Sequence, residues 1–277
     1  MLSAKNIAVL GVGTLGTAII SGLLKSGTIK PSQIRGTVGS TEGIKKAEAK
    51  LNAKADSVVK IATDNLAAAK DADIVILAVK PQNMAKLLET ISPALNKNQL
   101  VISVAAAVSL AYLEKYLSSQ IPIIRAMPNT CVSTGAGMTG LAAGAYASDN
   151  HKQVAQEIFK SVGEVVFLDE KLFNALTALS ASGPAYLYVV IESLAEAGVK
   201  LGISRETATL LAAQTMLGTA KMILETGEHP ALLKDSVTTP AGCTIDGLME
   251  LEEGKLRVTL IKAVVKAAQR AQELLPL

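Results

Sequence analysis

The spacing of apolar residues changes once along the chain, near residue 168. Before that point, short apolar runs alternate with segments of helical spacing, which is typical of a parallel sheet covered by helices. After it, only helical spacing continues. The pattern predicts an α/β domain over residues 1–168 and an all-helical domain over residues 169–277.

The same periodicity places the individual elements. In the first domain, strands are expected at residues 6–10, 32–38, 73–79, 99–104, 121–126 and 164–168, and helices at 14–26, 42–51, 83–88, 110–117 and 149–161. In the second domain, helices are expected at 184–202, 204–225 and 231–234, from about residue 244, and at 255–275. The segment VTTPAGC (237–243) therefore lies in a loop between helices.

Three glycines mark the turn between the first strand and the first helix. Gly11, Gly13 and Gly16 have G-x-G-x-x-G spacing in the segment IAVLGVGTLGTAI. The first glycine of such a turn allows a tight bend, the second lets a pyrophosphate approach the backbone, and the third lets the helix pack closely. The helix N-terminus adds unpaired N–H groups for the phosphates. The turn predicts a Rossmann domain that binds a dinucleotide; the alternative is a glycine-rich turn that only packs.

The segment after the second strand bears on the choice between NAD and NADP. NAD-binding domains usually place Asp or Glu there, about 20 residues after the glycine turn, to bind the ribose 2′-hydroxyl. The first acidic residue of this chain is Glu42, beyond that position. Ser40, Thr41 and Lys45 could instead bind a 2′-phosphate, and Arg35 is a further candidate. The sequence therefore predicts a preference for NADPH, with NADH as the alternative donor.

Two more turns are expected at the same edge of the sheet. One strand ends before Lys80 and Pro81, and another ends before Ala105, Ala106 and Ala107. Ligands of open α/β sheets bind at the carboxyl ends of the strands, so both turns are expected to face the nicotinamide half of the cofactor. Small side chains there leave room for a flat ring. The alternative is that both are structural turns.

Composition narrows the classes of function. Hydrophobic residues make up 49% of the 277 residues and charged residues 18%, and the mean hydropathy is +0.37, so we expect a buried subunit interface. The net charge of +3 is dispersed and aromatic residues are 3%, which argues against nucleic-acid binding.

No apolar run reaches the roughly 20 residues of a membrane span. Because the N-terminus lacks the features of a signal peptide, a cytoplasmic protein is expected.

The chain is poor in metal-ligating side chains. It has two cysteines, Cys131 and Cys243, and two histidines, and these four residues lack metal-ligand spacing. Neither a metal site nor a disulfide framework is expected.

Three further stretches are unusual: RAMPNT (125–130), LSASGPAYL (179–187) and LKDSVTTPAGCTIDGL (233–248). With GVGTLG and AVKP they resemble the pyrroline-5-carboxylate reductase family, which makes proline with NAD(P)H, and the resemblance covers essentially the whole chain. Its most specific part is the pattern Thr-Pro-x-Gly-x-Thr-Ile. The resemblance implies a Rossmann NADP(H)-binding domain (1–168) and an all-helical dimerisation and substrate-binding domain (169–277). It further implies a homodimer of interlocked subunits that can assemble into a decamer.

The resemblance also implies site residues. Those that would contact NADP(H) are Leu10, Gly11, Val12, Gly13, Thr14, Leu15, Asn65, Ala78, Val79, Lys80, Pro81, Ala105 and Ala106. Those that would line the substrate site are Ser182, Gly242, Cys243 and Thr244, with Ser236 and Thr239 nearby and partner-subunit residues completing the site. The chain departs from the family pattern at Ala181, Ala241 and Cys243, where other small residues are usual. Each departure replaces one small residue with another.

The implied reaction explains why the loop at 237–243 has no strong acid or base. Reduction of a cyclic imine needs a hydride at carbon and a proton at nitrogen, and an imine is basic enough to take its proton from a weak donor. Thr244 could hydrogen-bond the ring nitrogen and is the predicted catalytic residue. Backbone N–H groups of Gly242 to Thr244, at a helix start, could bind the substrate carboxylate. The alternative is that Ser182 and Thr244 are ordinary helix caps.

Two other functions stay open from the sequence. One is a β-hydroxyacid type of NADP-linked dehydrogenase, which uses a lysine acid on the first helix of its second domain. The corresponding segment here, NALTALSASGPAYLYVV, has no lysine. The other is a non-catalytic NADP(H)-binding sensor, which would need only the first domain.

Overall fold

The computed structural model describes residues 2–52, 59–117 and 120–273. Over these residues the strands are β1 (Ile7–Leu10), β2 (Ile34–Thr37), β3 (Lys60–Ala62), β4 (Ile74–Leu77), β5 (Leu100–Ser103), β6 (Ile123–Pro128), β7 (Gly137–Ala143) and β8 (Gly163–Phe167). They form one sheet in the order β3-β2-β1-β4-β5-β6-β7-β8. Neighbouring strands are parallel except β6 and β7, which are antiparallel.

Helices lie between most of the successive strands of the sheet. They are α1 (Thr14–Lys25), α2 (Thr41–Asn52), α3 (Asn65–Lys70), α4 (Met84–Ile91), α5 (Leu110–Tyr116), α6 (Asp149–Lys160) and α7 (Phe173–Leu176). The strand order has a topological switch between β1 and β4, because the chain continues from these two strands toward opposite sides of the sheet. Ligands of doubly wound sheets bind at such a point.

The central strands are buried because helices pack on both faces. Every residue of β1, β4 and β5 is buried. Alternate residues of β1 enter two hydrophobic clusters: Val9 shares one with Ile19 of α1, and Leu10 shares the other with Leu77 of β4 and Leu88 of α4. Strands covered on both faces are continuous apolar runs, which is why the sequence pattern reveals them.

The predicted Rossmann domain followed by a helical domain is confirmed. Two strands and a helix of the first domain were nevertheless missing from the expected elements. β3 and α3 span only three and six residues, too short for a clear periodicity. β7 contains Gly137 and Gly140, which weaken a strand pattern. A Cβ at Gly140 would collide with the Leu176 side chain, so tertiary packing accounts for that glycine.

A buried ion pair connects β6 with the segment after β8. Arg125 Nη1 lies 2.8 Å from Glu170 Oε1, and the Arg125 side chain is only 5% exposed. The same carboxylate oxygen accepts a hydrogen bond of 2.7 Å from the Leu110 N–H at the start of α5. The guanidinium also lies 4.6 Å from the centroid of the Phe173 ring. Arg125 of the RAMPNT motif therefore holds a strand, a helix start and α7 together.

The chain divides into two compact units, one comprising Met1–Ala181 and Ala268–Leu277 and the other Ser182–Ala267. After a π-helical turn at Thr177–Ala181, the helices are α8 (Gly183–Lys200), α9 (Arg205–Thr226), α10 (Pro230–Ser236), α11 (Cys243–Glu253) and α12 (Leu256–Glu273). This order agrees with the helices expected from the sequence. In the part of the chain that the structure describes, no helix is long and apolar enough to cross a membrane.

The second unit buries little of its own apolar surface. Its buried hydrophobic residues are Ala195, Ala208 and Ala212, which lie on α8 and α9. Many large apolar side chains are exposed, including Leu187, Tyr188, Leu194, Leu201, Leu210, Leu211, Leu217, Met222, Leu224, Val237, Met249 and Ile261. An exposed apolar surface of this extent is typical of a protein–protein interface.

We expect Arg125→Met to lower the free energy of unfolding by about 3 kcal/mol, because it leaves the Glu170 carboxylate partly buried without its cation. The measurement is urea denaturation at fixed protein concentration, since self-association affects apparent stability. The double variant Arg125→Met/Glu170→Gln is expected to recover part of the loss. Equal stability of Arg125→Met and the unmodified protein would contradict a structural role for the pair.

Candidate active site

A cavity of about 660 Å³ lies at the carboxyl ends of β1, β2 and β4. It is lined by Gly11, Val12, Gly13, Thr37, Val38, Gly39, Thr63, Asn65, Ala78, Val79, Lys80, Asn83, Lys86, Leu87 and Thr90. Its position is the topological switch point of the sheet. A cavity of this size at this edge suits an extended ligand such as a dinucleotide.

The glycine turn shapes the floor of the cavity. Gly11 has φ +104°, and a Cβ there would lie 2.7 Å from the carbonyl oxygen of Ala78. A Cβ at Gly16 would meet the carbonyl oxygen of Gly11, so α1 packs closely on the turn. At Gly13, by contrast, a Cβ would have nothing within 4 Å. The three glycines therefore have the roles that the motif predicts. Close packing requires Gly11 and Gly16, and Gly13 leaves space beside the backbone.

The start of α1 has the features of an anion-binding helix N-terminus. Gly13 is its N-cap and provides no side-chain cap, and the first turn has no acidic residue. The N–H groups of a first helical turn have no intrahelical partner, and the helix dipole makes them attractive to phosphate. The residues at this edge therefore fit the pyrophosphate of a dinucleotide.

A hydrogen bond joins the end of β2 to the start of α3 at the cavity. The Thr37 hydroxyl, at the end of β2, donates to Asn65 Oδ1 at 2.6 Å. Asn65 begins α3, where the Asp64 side chain accepts a hydrogen bond from Ala67 N–H and caps the helix. The bond fixes the Asn65 amide in the cavity wall, and its NH₂ group makes no hydrogen bond within the described residues.

Seven of the predicted cofactor-binding residues line the cavity: Gly11, Val12, Gly13, Asn65, Ala78, Val79 and Lys80. Thr14 and Leu15 are in the first turn of α1, and Pro81 follows Lys80 directly. The side chains of Leu10 and Ala105 are buried in the hydrophobic core, so only their backbone could contact a ligand. Ala106 is exposed, and it is not among the residues that line the cavity.

The residues predicted to bind a 2′-phosphate differ in their hydrogen-bond and ion-pair partners. The Ser40 hydroxyl accepts a hydrogen bond of 3.2 Å from Gly43 N–H at the start of α2, and Ser40 is not among the lining residues. Arg35 forms an ion pair of 2.9 Å with Asp71. Thr41 and Lys45 are exposed on α2.

Sequence reasoning missed eight lining residues: Thr37, Val38, Gly39, Thr63, Asn83, Lys86, Leu87 and Thr90. Thr37, Val38 and Gly39 lie at the end of a predicted strand or directly after it, so the strand-end rule could have identified them. Thr63 follows β3, which was not predicted. Lys86 and Thr90 are exposed residues of α4, and its apolar pattern marks only the buried face, to which Leu87 belongs.

In the second unit, the loop before α11 forms a tight turn. Gly242 N–H donates to the Thr239 carbonyl oxygen at 3.0 Å, and Ala241 has φ +58°, in the left-handed region. A Cβ at Gly242 would collide with Thr239 Oγ1. Gly242 is the N-cap of α11 and provides no side-chain cap. The turn thus presents a bare helix start, formed by Cys243 and Thr244.

The hydroxyl groups near this helix start differ in their partners. The Ser236 hydroxyl donates to the Leu233 carbonyl oxygen at 2.8 Å, so the backbone of α10 already uses it. Thr244 is half-buried in the first turn of α11 and is not a cap residue. Cys243 is exposed. Ser182 is the N-cap residue of α8, yet its side chain makes no cap hydrogen bond.

The described residues contain no group of three or more His, Cys, Asp or Glu side chains that could hold a metal ion.

Comparison with known proteins identifies the family. Residues 170–274 match the model "Pyrroline-5-carboxylate reductase dimerisation", and residues 6–107 match "NADP oxidoreductase coenzyme F420-dependent". The chain is 40% identical to the pyrroline-5-carboxylate reductase of Methanosarcina acetivorans over 98% of both chains. The chain belongs to the pyrroline-5-carboxylate reductase family. The resemblance seen in the sequence is thereby confirmed, and the C-terminal match makes the helical domain a dimerisation domain.

Solved structures of the family share the fold over the full chain. The pyrroline-5-carboxylate reductase of Coxiella burnetii superposes with a TM-score of 0.91 at 37% identity, covering 99% of this chain and 100% of that one. The Plasmodium falciparum enzyme, solved with NADP bound, has a TM-score of 0.85 at 29% identity and covers 98% of each chain.

Two glycine variants test the phosphate site. We expect Gly13→Ala to keep the thermal stability of the protein, because the added Cβ meets open space, yet to weaken NADP⁺ binding by about 10-fold or more by obstructing the pyrophosphate. Gly11→Ala is expected to lower the free energy of unfolding by about 2 kcal/mol, through backbone strain and overlap with Ala78. Thermal melts and NADP⁺ titrations measure both. Unchanged NADP⁺ affinity in Gly13→Ala would place the phosphates elsewhere.

The left-handed Ala241 gives a second prediction. Ala241→Gly is expected to raise the free energy of unfolding by about 0.5–1 kcal/mol, because glycine removes the strain of a positive φ. The control is Ala49→Gly, on the exposed side of α2, which is expected to lower it by a similar amount. Denaturant unfolding of both variants checks the opposite signs; destabilisation by both would contradict the turn geometry.

Proposed function

We propose that this chain reduces the C=N bond of 1-pyrroline-5-carboxylate with NADPH to give L-proline, the last step of proline biosynthesis. The observation that carries the proposal is family membership over nearly the full length, because relatives match through both the cofactor-binding and the helical domain. We further propose that residues 1–168 bind NADP(H) and residues 169–277 dimerise and bind the substrate.

The cofactor-binding residues have distinct tasks. Gly13 and the first turn of α1 would hold the pyrophosphate, while Asn65 and Lys80 would contact the rest of the cofactor. When bound, NADPH would supply a hydride to the imine carbon, which is C2 of the pyrroline ring and becomes C5 of proline; the C=N electron pair would move to nitrogen, which takes up a proton, leaving NADP⁺. The protein must then orient the substrate, since positioning can supply up to roughly 7–11 kcal/mol of the barrier.

The substrate carboxylate would bind at the start of α11. Because Gly242 lacks a capping side chain, the N–H groups of the first turn are open to an external acceptor. The positive end of the helix dipole favours a carboxylate there. This arrangement explains how the loop could hold an anion without an arginine.

Thr244 is the proposed donor to the ring nitrogen. Its hydroxyl lies in the first turn of α11, next to the proposed carboxylate site, and it is half-buried. A hydroxyl suffices because the imine itself is basic. Ser182, Thr239, Ser236 and Cys243 would line the rest of the substrate site, with Ser236 held by its bond to Leu233.

NADPH is the proposed donor because no acidic residue stands at the end of β2, where NAD-binding domains bind the 2′-hydroxyl.

A homodimer is the proposed assembly, with interlocked subunits that can form a decamer, and the exposed apolar side chains of α8 and α9 supply its interface. We propose a cytoplasmic location.

The reaction and the role of Thr244 are tested together by following NADPH oxidation with 1-pyrroline-5-carboxylate. We expect turnover by the unmodified enzyme and a fall in kcat of about 10²-fold in Thr244→Ala, because a positioned donor contributes on this order. Thr244→Ser is expected to restore most of the rate.

The matched control is Thr238→Ala. The Thr238 hydroxyl donates to the Lys234 carbonyl oxygen at 2.9 Å, so its loss tests the stability of the loop without removing the proposed donor. Absence of turnover by the unmodified protein together with tight NADPH binding would favour the sensor function. An unaffected Thr244→Ala enzyme would reject only the mechanism.

Cys243 gives an independent test of the substrate site. Alkylation of this exposed thiol is expected to abolish proline binding, because the adduct would occupy the space beside Thr244. Mass spectrometry identifies the modified cysteine and calorimetry measures binding. Full proline affinity in a verified Cys243 adduct would place the substrate elsewhere.

A further inference from the structure

The cofactor cavity has two walls of different chemistry. The β2 wall consists of Thr37, Val38 and Gly39, which carry no charge. The α4 wall consists of Asn83, Lys86, Leu87 and Thr90. Their spacing of three, four and seven residues places all four on one face of the helix. Lys80 lies at the start of the same wall, so both cationic lining residues belong to this side of the cavity.

Cations near the β2 wall are engaged or outside the cavity. Arg35 pairs with Asp71 at 2.9 Å, and Lys46 pairs with Glu42 at 2.6 Å. Lys45 is exposed on α2 and is not among the lining residues. The charge that an additional phosphate requires is therefore found across the cavity from β2.

The lysines of the α4 wall are available for an external anion. Within the described residues, neither Lys80 nor Lys86 forms an ion pair with a carboxylate. The described lining residues include no Asp or Glu. An anion entering the cavity would therefore meet positive charge without competition from an acidic side chain.

The fold determines which part of a dinucleotide would reach these lysines. With the pyrophosphate at the start of α1, the adenosine half extends toward the end of β2. Its ribose 2′ position then lies in the part of the cavity between the β2 wall and the α4 wall. A 2′-phosphate there would have uncharged residues on one side and ammonium groups on the other.

We propose that Lys86 binds the 2′-phosphate of NADPH and, with Lys80, makes the chain prefer NADPH over NADH. The inference rests on the proposed use of NADPH. An ammonium–phosphate hydrogen bond is charge-assisted, which makes it stronger than a neutral one. Lys86 is a specificity-determining residue and has no part in hydride transfer, so we expect its loss to weaken the affinity for NADPH.

The test compares two fragments that differ only by the 2′-phosphate, 2′,5′-ADP and 5′-ADP. Calorimetry on the full-length protein is expected to show that Lys86→Gln weakens 2′,5′-ADP binding by about 10-fold and 5′-ADP binding by less than about 2-fold. Lys70→Gln is the matched control, because it removes one exposed charge at the end of α3 without touching the cavity. It should leave both affinities unchanged.

Lys45→Gln tests the competing assignment on α2. A larger loss of 2′,5′-ADP affinity in Lys45→Gln than in Lys86→Gln would overturn the proposal, as would an equal effect of Lys86→Gln on both fragments. In steady-state kinetics, Lys86→Gln should raise the KM for NADPH by about 10-fold and leave that for NADH nearly unchanged. The fragments bind without the pyrroline substrate. Selective binding in a protein that fails to reduce pyrroline-5-carboxylate would therefore reject the reaction and leave this inference standing.

Discussion

The close approach between Gly11 and the turn after β4 is the constraint on which the cofactor site depends. A side chain at Gly11 would press against the backbone of Ala78 and Val79. Because no side chain intervenes, β1 and β4 can end side by side and their turns can form one cavity floor. The same turn positions the start of α1 and leaves open space beside Gly13, where we propose that the phosphates bind. Backbone proximity therefore produces the site, and few polar side chains are needed.

A different constraint applies to the helical domain. One chain alone buries too little apolar surface there. Within Ser182–Ala267 the buried hydrophobic residues are Ala195, Ala208 and Ala212, whereas many leucines are exposed. Family membership explains this imbalance, since the match over residues 170–274 is to a dimerisation domain. The loop before α11 belongs to the same domain, so subunit association and the proposed substrate site are linked through one set of helices.

The sequence predicted most of the fold because buried parallel strands and amphipathic helices leave clear periodic patterns. It missed β7, where Gly140 is explained only by the packing of Leu176. For the cavity, the glycine motif identified the floor, but Lys86 escaped notice because it lies on the polar face of α4. Sequence also could not show that Arg35 pairs with Asp71 or that Ser40 accepts a bond from Gly43, since both contacts depend on the folded chain.

The proposed function requires this chain to transfer hydride from NADPH to the imine carbon of 1-pyrroline-5-carboxylate. The most direct measurement uses NADPH deuterated at the nicotinamide C4 and follows the label into the product by mass spectrometry and NMR. We expect L-proline with deuterium at C5, in proportion to the NADPH consumed. Oxidation of NADPH without labelled proline, or no reaction by a protein that binds NADPH, would contradict it.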